Sequence, residues 1–404
     1  MTPTFVPGDP RRVPAPPREG LRRAKPGYLH ASILSALAAL AGCASVTARP
    51  AGNSEPPPHP AGVIQLAWRT TLHEHGLFEP DPEECATGAL ANGHLVIGSR
   101  AGNIAGVAPD TGHVDWVTGV SGGVDSTARF DAPRGQVYVG TDDGTLYAVE
   151  PDSGKIRWTY HGKGEFERAP EVGPELVYAA SASDHLVALD PATGKWRWQY
   201  EREMPEGFTI HGYAGPRLHG NALLAGFADG YFVALAAGSG EVLWARSLAT
   251  ASEQFIDVDT TPALAGDLAY VSSYSGGLCA VDLKDGAIKW RLGVEGVGDV
   301  SIAGDRLFFA APRQGIHAAD LQGHVLWRQG LTEAGDLTRP MVVGRYLIFS
   351  GSRAGLFVVD RASGSLLEIF NPGHGVCAAP TLDDKTQRLY VLSNSGSLYA
   401  LDLS

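Results

Sequence analysis

One spacing dominates this chain. Gly112, Gly154, Gly194, Gly240, Gly286 and Gly323 each stand four residues before a tryptophan: Trp116, Trp158, Trp198, Trp244, Trp290 and Trp327. These pairs recur about every forty residues, as in "GTDDGTLYAVEPDSGKIRW" from Gly140 to Trp158. A unit begins with a short segment ending Pro-x-apolar, such as "TTPAL" (260–264). Two strands follow, such as "QVYVG" (136–140) and "GTLYAVE" (144–150), then a tight turn and a strand that carries the tryptophan. Short alternating strands at this period indicate the blades of a propeller. The Asp/Ser/Thr-Gly turn needs positive φ, which glycine adopts without a Cβ clash. Four residues on, the side chain returns to a fixed face of the outer strand and can cover the gap to the next blade. A ligand platform would not need to track the turn. These six tryptophans, with Trp68, are therefore expected to dock blades, each contributing on the order of 3 kcal/mol or more.

A seventh turn at Gly364 keeps the pattern but has Glu368 where tryptophan is expected, so that interface should be less apolar. The last unit (388–401) stops before its turn and outer strand, and the missing piece, "GVIQLAWRTTL" (62–72) with Trp68, stands near the other end of the chain. The expected fold is all-β: an eight-bladed propeller of four-stranded antiparallel blades. Pairing of the N-terminal strand with C-terminal strands would close the ring and leave no exposed ring-end edge. Seven blades is the alternative if one unit is irregular.

Composition narrows the function. The 404 residues include 51 glycines and only 19% charged residues, as a turn-rich β protein requires. Net charge is −12, and the first 42 residues hold six basic and two acidic residues, which leaves 26 basic and 42 acidic in the rest. That balance excludes a nucleic-acid partner, whose phosphates need Lys and Arg, and broad adhesion to anionic lipid. Four cysteines (Cys43, Cys85, Cys279, Cys377) show no CxxC or CxxCH spacing, so neither a zinc site nor a c-type haem is expected. Cys85 and Cys377 fall at matching places in two repeats that lie side by side. Two buried free thiols are expected there, with a disulfide as the alternative.

No other constellation points to chemistry. His73-Glu74-His75 lacks a third ligand and reads as a solvated loop. Asp142-Asp143-Gly144 and Asp229-Gly230 sit where other units carry turn residues, and turn chemistry explains them. There is no Gly-x-Ser-x-Gly elbow and no Walker loop. No catalytic residue, metal or cofactor is expected, and no small-molecule substrate.

Residues 1–42 read as a lipoprotein signal peptide: basic residues, then an apolar run from Ala31 to Ala41, too short to span a bilayer (~20 residues are needed). Leu40-Ala41-Gly42-Cys43 resembles the bacterial lipobox, whose cysteine is lipidated. An ordinary signal peptide cleaved nearby is the alternative. Ala44 is not the aspartate that retains many lipoproteins at the inner membrane, so the resemblance implies the periplasmic face of the outer membrane. Residues 43–60 form a lipidated cysteine and a Pro-rich tether, and 61–404 the propeller.

The repeat resembles that of the pyrroloquinoline-quinone propeller superfamily across 62–401. Within it, the lipobox, the tether, the blade count, the split closing blade and "DVDTTP" (257–262) are similar to the BamB family, propeller lipoproteins of the outer-membrane β-barrel assembly machine. That resemblance implies a non-enzymatic scaffold with two loops docked on a periplasmic domain of the barrel-assembly protein. The first family loop carries Leu-x-Leu-Arg-Gly. Here it reads Phe208-Thr209-Ile210-His211-Gly212, which keeps two apolar anchors but replaces the arginine with His211. A neutral imidazole cannot make the bidentate ion pair of a guanidinium. The second loop keeps Asp257 and Asp259, expected to be exposed carboxylates beside the anchors. A structural reading stands beside this one: Asp259 caps strand ends ahead of Thr260-Thr261, and Phe208 and Ile210 are core. Two other functions compete. One is a scaffold of another envelope complex. The other is a quinone-dependent dehydrogenase, against which stand the absence of adjacent cysteines, a shorter chain, and no aspartate that stands out as a general base.

Overall fold

Each unit of the repeat forms one antiparallel sheet. The computed structural model describes residues 62–72, 83–203, 214–250 and 255–404. Cys43, the tether and His73-Glu74-His75 lie outside the described residues, as does the 204–213 segment with Phe208, Ile210 and His211. The described residues form eight four-stranded sheets, an eight-bladed propeller. Blades 1 to 7 span 89–119, 129–161, 171–201, 217–247, 263–292, 301–329 and 341–370, each a simple meander. Blade 8 takes three strands from 381–403 and its outermost from Ile64–Thr71. That strand runs antiparallel to Ser397–Leu403, from Ile64 opposite Leu403 to Thr71 opposite Ser397. The closure expected from the split repeat is therefore present, and the blade count is eight.

The two middle strands of each blade are almost wholly buried. Their side chains meet those of adjacent blades, so the core is a ring of apolar clusters between sheets. Tyr138, Leu146, Trp158, Phe166 and Val177 join blades 2 and 3. Leu224, Phe232, Val258 and Val271 join blades 4 and 5. One larger cluster spans blades 7, 8 and 1, across the closure.

The glycine–tryptophan offset has a geometric counterpart at each interface. The tryptophan of one blade packs on the turn glycine of the next: a Cβ on Gly194 would lie 2.5 Å from the Trp158 ring, and on Gly240 2.7 Å from Trp198. These glycines have φ of 67° and 77°. Each indole N–H also donates to a carbonyl of the next blade, Trp158 to Pro191 at 2.8 Å and Trp198 to Ala237 at 3.0 Å. Trp68 bonds Pro109 at 2.9 Å and so carries the pattern across the closure. Facing each tryptophan on the neighbouring strand is a small residue, Ala148 opposite Trp158 and Gly106 opposite Trp116. A one-residue register shift just before the tryptophan, or before Glu368 in blade 7, recurs in every blade.

Blade 7 departs from this pattern for a specific reason. Glu368 faces Val358, and its carboxylate accepts the N–H of Ile64 at 3.1 Å. The acid thus holds the start of the closing strand where a tryptophan would hold a turn. Blade 8 has no turn of its own to offer.

The expectation of two free thiols fails. Cys85 and Cys377 form a disulfide with Cα atoms 5.0 Å apart, bridging 292 residues. Each stands four residues before the innermost strand of its blade, in blades 1 and 8, which are neighbours only because the ring closes. Both are half-buried. Cys279 is the free cysteine among the described residues, buried in blade 5, and burial pushes its thiol up to about 11.

One buried group is poorly matched to this core. His317 is 2% exposed and stacks on Phe309 at 5.1 Å, and neither ring nitrogen meets a hydrogen-bond partner. Burial, then the Arg328 charge, lowers its pKa to about 4. The folded pKa lies below the unfolded value, so stability is present above about pH 6.5 and lost as pH falls toward 4. His317→Phe is expected to stabilise the fold by about 1–3 kcal/mol at neutral pH. Its advantage should grow below pH 6.5 by up to about 1.4 kcal/mol per pH unit. Denaturant titrations at pH 7.5 and 5 measure this; a constant difference would refute the titration account.

Candidate functional site

The segments that lead into each blade cross one face of the ring, where they bond to the hairpins between second and third strands. The 255–260 segment is pinned this way at four points, the first being Ser275 N–H donating to the Phe255 carbonyl at 3.0 Å. Val258 N–H donates to the Phe227 carbonyl at 3.1 Å. Tyr274 N–H donates to the Asp257 carbonyl at 3.2 Å. Ser272 N–H donates to Thr260 Oγ1 at 2.9 Å. Val258 also occupies the space above Gly226, where a Cβ would come within 2.5 Å of it.

This anchoring corrects the expectation of two exposed carboxylates. Asp257 is 1% exposed and Asp259 half-buried. Burial raises the Asp259 pKa to about 6 against the opposing Arg168 charge. The segment is drawn into the fold by its backbone bonds and by Val258, and its aspartates go with it. Asp257→Lys would put a longer, cationic side chain into a closed space. It is expected to cost about 1–3 kcal/mol by overpacking, read as a lower midpoint in a thermal melt. An unchanged midpoint would show that the site opens readily to solvent.

The flanking residues form a charge network. Asp184, with φ 55°, accepts the Ala228 N–H through both carboxylate oxygens at 3.1 and 3.2 Å. Burial raises its pKa to about 6, with Asp229 and Asp257 adding to the effect. Arg202 pairs with Asp229 at 2.5 Å, and its guanidinium lies over the Tyr231 ring at 4.3 Å. These contacts hold the chain at residue 202, just before the 204–213 segment. On the other side, Phe255 is 37% exposed with φ 54°, and its ring lies 5.8 Å from Tyr274. An exposed aromatic next to a fixed network is suited to contact rather than catalysis. Phe255 carries no sequence signal of its own beside the charged residues two and four places on. A non-glycine residue at positive φ cannot be read from residue type.

The second feature is the axial channel, a cavity of 520 Å³ that reaches the disulfide. The segments leading into the blades line it. Asp125 is bonded there by Arg100 at 2.8 Å, while burial lifts its pKa to about 6. Arg168 joins Asp299 at 3.2 Å and the Asp259 carbonyl at 3.1 Å, linking the channel wall to the 255–260 segment. Asp142 and Asp143 act in their turn: Asp142 accepts the Gly123 N–H at 2.8 Å, and Asp143 accepts the Thr141 hydroxyl at 2.6 Å.

A closed ring of eight such blades, docked by an indole on the next turn at every seam but the one after blade 7, is a PQQ-like repeat propeller. The family model described as outer membrane protein assembly factor BamB matches residues 100–323. The chain belongs to that family. It is 28% identical over 195 residues to outer membrane protein assembly factor BamB of Legionella pneumophila, covering 47% of this chain and 50% of the relative. Against that of Shewanella oneidensis it is 26% identical over 248 residues, covering 59% and 62%. The chain thus spans about half to three-fifths of the length of these curated relatives. The crystal structure of BamB from Moraxella catarrhalis superposes with a TM-score of 0.73 at 21% identity, over 84% of this chain and all of that one. Quinohemoprotein alcohol dehydrogenase from Comamonas testosteroni gives 0.64 at 14% identity, over 84% and 76%. At such identities both structural likenesses concern the fold alone.

Proposed function

We propose that this chain is a non-enzymatic scaffold lipoprotein of the outer-membrane β-barrel assembly machinery. A lipid on Cys43 holds it at the periplasmic face of the outer membrane, and the 43–60 tether gives the propeller reach. It docks on the periplasmic domain of the barrel-assembly protein. The family match across 100–323 carries this reading, because it includes both segments the docking requires, 204–213 and 255–260.

In this mechanism Phe208 and Ile210 are the apolar anchors, and Phe255 beside Tyr274 extends the apolar contact. His211 supplies a weaker polar contact than the family arginine would. Asp257 and Asp259 belong to the docking segment through their backbone carbonyls, which accept from Tyr274 and Arg168, rather than by meeting the partner as open charges. An apolar centre with a polar rim is the usual anatomy of such interfaces. A rigid ring lets these loops vary without disturbing the fold.

The test is affinity purification of the full-length tagged chain from solubilised envelope. The barrel-assembly protein is expected to co-purify. Recovery of a different envelope complex in its place would overturn the assignment and leave the fold untouched. Titration of the same preparation with quinone and Ca²⁺ is expected to give no stoichiometric absorbance change; such a change would move the reading to a dehydrogenase.

A further inference from the structure

The axial channel is not uniformly charged along its length. Asp125, Glu167 and Asp259 each stand four residues before an innermost strand, at the end that holds the disulfide. Arg129 and Arg217 are the first residues of innermost strands, and Arg339 stands two residues before one. Three guanidinium groups thus gather at the strand starts, where Asp299, two residues before Ser301, is already paired with Arg168 at 3.2 Å.

The guanidinium end is short of counter-charge. Arg129 and Arg217 share one carboxylate, Glu171, at 4.0 and 3.7 Å. Glu171 is already engaged, since it accepts the Leu218 N–H at 3.0 Å. Arg339 has no carboxylate within ion-pair distance among the described residues. Its Nε donates to Ser301 Oγ at 3.0 Å, which leaves its two Nη groups without a protein partner among those residues. Arg217 and Arg339 both line the channel and also a smaller hollow of 280 Å³ at this mouth, with Pro262, Leu264 and Ile302. Burial holds the Arg339 pKa below the usual arginine range; Asp299 offsets this in part, and the like charge of Arg217 adds to it.

Three guanidinium groups against the shared Glu171, with Asp299 engaged by Arg168, form an arrangement that an anion would complete. Arginine presents paired N–H donors in a planar fork that matches the oxygens of a carboxylate or phosphate. We propose that the arginine end of the axial channel binds a small dianionic oxyanion, held between Arg217 and Arg339 with Arg129 adding charge. Phosphate and a short dicarboxylate share this chemistry. The proposal does not rest on what docks at the 204–213 and 255–260 segments.

The experiment is a thermal-melt and calorimetric titration of the purified full-length chain. Inorganic phosphate is one ligand and succinate the other, with ionic strength held constant by sodium chloride. A ligand that binds only the folded state raises the melting midpoint in a saturable way. At least one of the two is expected to do so, and the stronger identifies the source. Arg339→Gln is expected to weaken binding by about tenfold or more, as loss of a charged hydrogen-bonding group does. Arg197→Gln, an exposed pair on the outer strand of blade 3, should leave it unchanged. No saturable response to either anion in the native chain would overturn the proposal, whether or not the variants fold. So would an equal response in Arg339→Gln, which would mark a general salt effect.

Discussion

Replacing Trp198 with alanine is expected to lower the unfolding free energy by about 3–5 kcal/mol. The indole is 7% exposed, packs on the Gly240 turn of blade 4, and lies 5.8 Å from the Tyr178 ring. Its N–H and the Tyr178 hydroxyl both donate to the Ala237 carbonyl, at 3.0 and 3.1 Å. Truncation removes the largest side chain at that seam and one of these two bonds. Blades 3 and 4 cannot close the gap, because their separation is fixed by the rest of the ring. Denaturant unfolding measures the loss. A cost under about 1 kcal/mol would mean that the tryptophan is not what docks the blades. Trp290→Ala should cost less, since that indole is only half-buried.

The second large effect concerns the closure. Replacing Cys85 and Cys377 together with alanine is expected to cost about 2–4 kcal/mol. The bridge ties blade 1 to blade 8 beside bonds that depend on the same closure: Thr381 Oγ1 to the Gly88 carbonyl at 2.8 Å and Glu84 N–H to the Asn394 carbonyl at 3.1 Å. A chain-entropy account assigns the gain to the 292-residue loop the disulfide forbids in the unfolded chain. Reduction of the native protein should lower the melting midpoint to that of the double variant. No difference between oxidised and reduced protein would mean that strand Ile64–Thr71 closes the ring unaided.

The repeat made the architecture readable because it is periodic. Turn glycines, alternating strands and the displaced Trp68 all follow from a unit that must look alike eight times. What escaped reading is aperiodic. Glu368 acts on the backbone N–H of Ile64, 304 residues away, and no local pattern announces such a partner. The channel is lined by segments between blades, whose residues are free to differ, so Arg339 and Asp299 have no counterparts in other repeats to draw attention to them. The burial of Asp257 has a related cause. Residue type suggests exposure for Asp257, but the backbone bonds of its segment and the fit of Val258 over Gly226 decide otherwise. The disulfide was a matter of register. Equivalent places in adjacent blades bring Cα atoms within bonding distance only if the ring has closed.

The docking proposal joins the 204–213 and 255–260 segments to a periplasmic domain of the barrel-assembly protein. The most direct measurement is a binding titration of the purified full-length chain against that domain. The native chain should be compared with a Phe208→Ala/Ile210→Ala variant, and both melting midpoints recorded. Saturable binding by the native chain is expected, with a loss of about tenfold or more in the variant, the usual cost of removing a buried apolar anchor, at an unchanged midpoint. Equal binding by both proteins, or none by the native chain, would contradict it.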